Sequence, residues 1–546
     1  MPYYLIGIGG TGQRVVNAFI HSCYMNAIPL AEVRVLIVDK DNNSGNASST
    51  LLERYNMERE IKPTSKTELK YFGAWEPKPA DASDLSALAR GEESQKLMRV
   101  LYDDYERTAL SEKTGMGGGF IDGFKGHPNV GATYQDVALQ DGLGSKKTET
   151  AIGKFFSEIE HDIKNTNTTA KVFIVASLFG GTGASGLPLL VQRLRRIKND
   201  SNSSKLLLGT LMMLPYFTYK RPKNVEDKIQ LDRSNLQTQA ALQFYHENGY
   251  LDPTQPEHLI NDLYLLGLHE LAEVNDYCEG GSKQCNKPVF VELTGAMSIA
   301  HFFKSNPDET PRTWTMGVNM ELADQMVQLT YGALAGDDDA GAFLKTQIDG
   351  ALRYAMYYHV FVYWALFNWN DVEDAKVFLP DNATKHWLGK GTLSTVVDEK
   401  NNTTEKERSA LKNSMDRVAE ESLGFINWLV DLMDHSAQMQ TGSEKVLFEG
   451  FTADRLKILR ETGKELSLAY RRDDSLGNMK PIREKHLWNG VQTSKGQAEW
   501  QTRLNGFFSH DGPDSYGAKI LLNFQNKKEG FSSLSEILKH LYDCCK

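Results

Sequence analysis

The segment KVFIVASLFGGTGASG, Lys171–Gly186, constrains the fold more than any other stretch of this chain. Lys171–Phe179 is a short apolar run with β-branched residues and reads as a buried strand. The glycine loop Gly180–Gly186 follows it, and Ser185–Lys198 reads as a helix. A strand that ends in glycine and opens a helix aims backbone N–H groups and a helix N-terminus at one point, which suits a phosphate. Glycine is needed because a Cβ would block the approach. Gly180, Gly181 and Gly183 supply that access, and Thr182 and Ser185 add hydroxyl donors.

The same arrangement occurs at the N-terminus. YYLIGIG, Tyr3–Gly9, reads as a strand and a helix runs from about Gln13 to Met25. The loop between them, GIGGTGQ, offers Gly9, Gly10, Thr11, Gly12 and Gln13. Further strands are expected at Val33–Asp39, Leu206–Pro215 and Asp262–Leu268, with helices at Thr148–Asn165 and Val225–His246. Apolar strands alternating with helices imply a parallel sheet covered on both faces. The polar stretch Lys40–Arg90 reads as loops and short helices, and Thr114–Ala132 is glycine-rich. After Pro288, PVFVELTGAMSIAHFF reads as one apolar helix, and beyond about Met320 helical patterns dominate.

The 546 residues allow two or three domains with real cores. A net charge of −10 argues against general nucleic-acid binding. Five cysteines, an odd number in a long chain, exclude a disulfide scaffold and fit reduced thiols. The N-terminus lacks the basic and apolar regions of a signal peptide. The longest apolar stretch, Ala355–Trp369, is shorter than a membrane span. A cytoplasmic protein is expected, with at most indirect membrane association.

Alone, GIGGTG also fits the dinucleotide fingerprint, and Asp39 sits where a ribose-binding acid is expected. A dinucleotide domain does not require a second GGTG loop, however. No GxxxxGK[ST] run occurs, and GLGSKKT, Gly142–Thr148, has the wrong spacing for one. Two glycine loops after two buried strands thus point to a nucleotide.

GGTGASG after a buried strand resembles the signature loop of the tubulin/FtsZ superfamily, GGTG(S/T/A)G. GIGGTGQ resembles that family's first phosphate loop, and VDKD, Val38–Asp41, its acidic turn after the second strand. NVGAT, Asn129–Thr133, falls where a further phosphate-contacting loop stands in the family, adding Gly131, Ala132 and Thr133. The similarity covers roughly Met1–Asp324, and PVFVELTGAMSIAHFF looks closer to divergent bacterial tubulin-like proteins than to true FtsZ.

The resemblance implies an α/β nucleotide-binding domain of the tubulin/FtsZ type over residues 1–285, a central helix over 286–304 and a mostly helical C-terminal domain over 305–546. It implies GTP and Mg²⁺ as cofactors, with Asp41 near the ribose or the Mg²⁺ shell. Asn286 and Glu292 become candidates for reading the base. A helix cap for Asn286 and a buried ion pair for Glu292 are the competing readings. In the family an acidic loop of one subunit completes hydrolysis at the nucleotide of the next. GVNMELAD, Gly317–Asp324, keeps that spacing with Asn319, Glu321 and Asp324, Glu321 standing for an aspartate. The same residues also read as a helix start capped by Asn319. The implied protein assembles with itself head to tail, into filaments unless the contact closes into a ring. Operon-encoded protein partners fit the same family. A non-polymerising nucleotide sensor and a Rossmann-type enzyme using NAD or ATP are the alternatives.

Overall fold

The computed structural model describes residues 2–41, 47–61, 66–77, 99–104, 106–107, 123–124, 126–144, 146–164, 168–201, 205–220, 234–255, 258–268, 271–276, 281, 284, 286–305, 311–316, 326–328, 340–358, 405–438, 470–472, 479–481 and 534–545. The chain divides into two compact units. One comprises Met1–Ser22, Leu30–Leu52 and Thr67–Asp338, the other Cys23–Pro29, Glu53–Lys66 and Asp339–Lys546.

The first unit is an α/β fold. Its strands are β1 (Tyr3–Ile8), β2 (Glu32–Val38), β3 (Glu68–Trp75), β4 (Ala170–Ser177), β5 (Leu206–Met213), β6 (Phe217–Lys220), β7 (Ile260–Leu266), β8 (Ala272–Asp276), β9 (Arg312–Met316) and β10 (Met326–Gln328). The helices are α1 (Gly9–Tyr24), α2 (Ser48–Ile61), α3 (Pro128–Leu143), α4 (Ala151–Lys164), α5 (Gly181–Asp200), α6 (Ser234–Glu247) and α7 (Phe290–Lys304). Both α1 and α2 run on into residues of the second unit.

Seven strands pair in the order β3-β2-β1-β4-β5-β7-β9, all parallel, and the three-residue β10 adds a parallel edge. β6 and β8 form a separate parallel pair. The central strands are buried on both faces, which is why they read as continuous apolar runs. Tyr4, Ile6, Ile8, Val172 and Ile174 share one core with the α4 residues Ile152, Phe155, Phe156 and Ile159 and the α5 residues Leu187, Leu190 and Leu194. The opposite face receives α1 and α7. Gly7 lies against Val16, Gly209 against Phe302, and Gly295 lets α7 close on Leu211 and Val15.

α5 contains Pro188, which lacks the N–H that would reach the Ala184 carbonyl. The buried Tyr245 hydroxyl of α6 donates to that carbonyl at 2.6 Å and completes the turn.

In the second unit, the described residues form α8 (Ala340–Tyr357), α9 (Glu405–Gln438), α10 (Leu534–Cys545) and an antiparallel pair, β11 (Tyr470–Arg472) with β12 (Met479–Pro481). Tyr354 of α8 meets Tyr542 of α10 edge-on at 5.8 Å, and Arg353 donates to the Cys545 carbonyl. On α9, Leu423, Phe425, Ile426, Leu429 and Leu432 are buried. Among the described residues beyond 340, three helices accompany the six residues of the strand pair. No helix among the described residues is long and apolar enough to cross a membrane.

Candidate functional site

In a parallel sheet every strand ends at the same edge. The chain leaves β1 toward β2 on one side and β4 toward β5 on the other, so strand order reverses between β1 and β4. A crevice opens at such a reversal, at the carboxyl ends of the strands, and open α/β sheets bind ligands there. Both glycine loops emerge at this point. Gly9 follows β1 directly and Gly180 follows the last turn out of β4.

The two loops touch. A Cβ on Gly9 would stand 3.1 Å from the Thr182 Cβ and 3.4 Å from the Gly183 nitrogen. Gly9 has φ +69°, a left-handed conformation that favours glycine. Gly12 and Gly183 are fixed by packing instead. A Cβ on Gly12 would lie 2.8 Å from the Gly7 carbonyl carbon, and one on Gly183 2.7 Å from the Ser177 carbonyl oxygen. Around Gly10 a Cβ would meet nothing within 4 Å, so this glycine faces open space.

Helix polarity favours an anion here. α5 begins after Gly180 with no side-chain cap, and neither α1 nor α5 carries an acid in its first turn. The first-turn N–H groups have no acceptor within their own helix and sit at the positive end of the macrodipole.

The acidic turn closes one flank. The Gln13 amide donates to Asp39 Oδ2 at 2.6 Å and accepts the Ser48 N–H at 3.0 Å, tying α1 to the start of α2. The Asp41 N–H donates to Asp39 Oδ1, and Asp41 Oδ2 accepts the Gly281 N–H at 2.8 Å. Burial pushes the Asp39 carboxyl up to about 7, against the hydrogen bonds from Gln13 and Asp41.

NVGAT is no loop. Asn129–Thr133 forms the first turns of α3, because Pro128 presets the helical φ at its start. Gly131 serves helix packing, since a Cβ there would lie 2.5 Å from Ser185 Oγ and 2.9 Å from the Gly181 carbonyl oxygen. The Ser185 hydroxyl donates to that same carbonyl and accepts from Gln135 Nε2, so it belongs to the joint between α3 and α5. Ala132 is half-buried, and the Thr133 hydroxyl pairs with Tyr102.

Glu292 is 2% exposed and ion-paired. Its Oε1 meets Arg14 Nε at 2.5 Å and accepts the Tyr216 hydroxyl at 2.8 Å, while Oε2 accepts the Val289 N–H. Arg14 also donates to the Lys287 carbonyl. Asn286 is half-buried three residues before Val289, which holds the N-cap position of α7. Asn319, Glu321 and Asp324 lie outside the described residues.

Sequence reading missed Arg14 and Tyr216. A charge inside an apolar helix was the available signal. Arg14 stands in GGTGQRVVNAFI and Glu292 in PVFVELTGAM, and two such charges require each other. Tyr216 gave no pattern at all.

No protein-family model matches the chain, and no curated protein matches it.

Proposed function

We propose that this chain is a tubulin/FtsZ-like GTP-binding protein that assembles head to tail with itself and hydrolyses GTP slowly at the subunit interface. The observation that carries the nucleotide part is the meeting of two glycine-opened helices, neither with an acid in its first turn, at the reversal of strand order, with Gly9 against Thr182. One helix N-terminus fits any anion. Two converging on one crevice fit a chain of phosphates.

In this reading the α1 and α5 N–H groups bind the phosphates, and Gly10 leaves them room. Asp41 is the acid offered to Mg²⁺, because both Asp39 oxygens already accept hydrogen bonds, from Gln13 and from the Asp41 N–H. Asn286 faces the base. Glu292 acts through its ion pair instead of through the base. Asn319, Glu321 and Asp324 would orient the attacking water from the neighbouring subunit. The assembly and hydrolysis parts rest on the sequence resemblance.

Sedimentation of the full chain with GTP and Mg²⁺ tests the whole reading. GTP-dependent pelleting and phosphate release are expected. Glu321→Ala combined with Asp324→Ala is expected to keep GTP affinity and abolish turnover. Failure to bind GTP in calorimetry removes the nucleotide assignment, and binding without assembly at any concentration removes the filament.

One observation favours a second reading. The strand order and an acid at the end of β2 also suit a Rossmann-type dinucleotide site. There Asp39 must receive a ribose hydroxyl, whereas here its oxygens already accept from Gln13 and Asp41. Tight NAD binding that survives Thr182→Ala would select this alternative.

A further inference from the structure

Neighbouring residues of α1 hold different parts of the candidate site. Gln13 holds the acidic turn at Asp39. Arg14 reaches the entry of α7 instead. Its Nε donates to Glu292 Oε1 at 2.5 Å and its Nη2 to the Lys287 carbonyl at 2.7 Å. The guanidinium also lies over the Phe217 ring, 5.2 Å from its centre. Tyr216 donates to the same Glu292 oxygen at 2.8 Å, while Glu292 Oε2 accepts the Val289 N–H at 3.1 Å. A planar fork of donors lets one side chain make these contacts together.

The result is a run of anchored backbone. Lys287 is held through its carbonyl by Arg14, and the proline after it restricts it to extended conformations. Pro288 has its φ set by its ring. Val289 is held through its N–H by Glu292. Asn286 stands directly before this run. On its other side the Gly281 N–H donates to Asp41 Oδ2 at 2.8 Å, so the chain meets the candidate site there as well. All of these residues belong to the first unit.

We propose that Arg14 is a positioning residue for base selection, which refers Asn286 to the first glycine loop through the Lys287 carbonyl and the Glu292 carboxylate. The proposal rests on the nucleotide reading above, with Asn286 at the base. A side chain that reads a base by hydrogen bonds must be held to within about 0.5 Å. α1 opens at the loop assigned to the phosphates and carries Arg14 in its second turn, so phosphates and base are placed from one helix. Asn286 meets the edge of the matching purine only when the chain enters α7 along the path that Arg14 sets. The phosphate contacts come from backbone N–H groups of the loops and do not depend on that path.

Calorimetric titration of the full chain with GTP, ATP and inorganic tripolyphosphate compares the unaltered protein, Arg14→Lys, Asn286→Ala and their double variant. Arg14→Lys keeps the charge opposite Glu292 and gives up the fork that also reaches Lys287. It is expected to weaken GTP about tenfold, the worth of one well-placed hydrogen bond, and to leave ATP and tripolyphosphate within about twofold. Asn286→Ala is expected to lower the preference for GTP over ATP by the same factor, and Arg14→Lys to lower it no further on that background. Arg14→Met with Glu292→Leu removes both buried charges at once and is expected to lose the same preference in a folded chain. Equal weakening of GTP, ATP and tripolyphosphate by Arg14→Lys means a structural role and overturns the positioning. So does a preference that Arg14→Lys leaves intact, or lowers equally on both backgrounds. GTP and ATP bound alike by the unaltered chain removes Asn286 from the base and the positioning with it. Binding of neither GTP nor tripolyphosphate overturns the nucleotide reading itself.

Discussion

The Arg14 guanidinium and the Glu292 carboxylate, 278 positions apart in the sequence, meet at 2.5 Å in the core of the first unit. Their side chains are 5% and 2% exposed, so neither charge has water to fall back on. Removing one partner of such a pair is far costlier than replacing both. Glu292→Ala is expected to destabilise the chain by about 3–5 kcal/mol. The double change Arg14→Met with Glu292→Leu is expected to recover most of that. Urea unfolding of the three proteins measures both effects.

Tyr245 completes the α5 backbone where Pro188 interrupts it. Tyr245→Phe keeps the ring and leaves the Ala184 carbonyl buried without its donor. The expected loss is about 1–3 kcal/mol. Thermal unfolding would read it, and a Pro188→Ala change should offset part of it by restoring the N–H. A Phe variant as stable as the parent would mean that the carbonyl finds another donor.

The glycines of the first loop separate packing from access. Gly12→Ala drives a Cβ into the Gly7 backbone and the Val175 carbonyl, and overpacking of this kind costs about 1–3 kcal/mol. Gly10→Ala meets no atom within 4 Å. Its stability is expected to hold or rise by up to about 1 kcal/mol, since alanine favours the helix. GTP affinity of Gly10→Ala is expected to fall, because the methyl group enters the space assigned to phosphate. Calorimetry beside thermal unfolding distinguishes the two positions.

Asp39 gives the protein a pH signature. Its folded pKa is raised from 3.8 to about 7, so the folded chain holds this proton more tightly than the unfolded one. The stabilisation is complete below pH 3.8 and is lost as pH rises through about 7. His21 acts in the opposite sense. Burial lowers it from 6.5 to about 3, so its contribution is present above pH 6.5 and is lost as pH falls. The difference in urea midpoint between the unaltered chain and Asp39→Asn isolates the first effect, and it is expected to change between pH 4 and 7 and level off above. On the nucleotide reading, GTP affinity is also expected to decline as pH passes 7, because ionised Asp39 would add negative charge beside Asp41 at the proposed phosphate site.

Much of the first unit is legible in the sequence because its central strands are buried on both faces. YYLIGI, AKVFIVAS and LLLGTLMM have no solvent side to encode, and each stands out as an apolar run. The edge strand ELKYFGAW does not. Glu68 and Lys70 alternate with Leu69 and Tyr71, Gly73 has φ +127°, and the pairing with β2 shifts at Val35/Leu36. Polar edge residues and an irregular register make β3 look like loop, so it goes unread in the stretch Lys40–Arg90, where loops and short helices are expected and α2 is found. RTWTM, β9, was hidden by its brevity.

The site divides the same way. Glycine after a buried strand is a local signal, and both loops could be found from it. The function of Gly131 depends on which helix lies against it, and no local pattern in NVGAT distinguishes a ligand contact from a helix joint. The acid at 292 was visible, but its partner was not. Pairing Arg14 with Glu292 requires α1 and α7 on the same face of the sheet, which follows only from the strand order.

Tyr3 of β1 pairs with Lys171 of β4, so the neighbouring strands that carry the two loops are far apart along the chain. During synthesis the first loop therefore leaves the ribosome long before its counterpart exists. Contacts between segments this distant form slowly, since the intervening chain must be ordered to bring them together. On the nucleotide reading, a nascent chain that stops short of Gly183 carries half of the proposed site, and GTP would assist its folding only once β4 and α5 have been made. Nucleotide would then act as a late lock on an assembled sheet, felt in the rate at which the finished protein opens more than in the rate at which it forms.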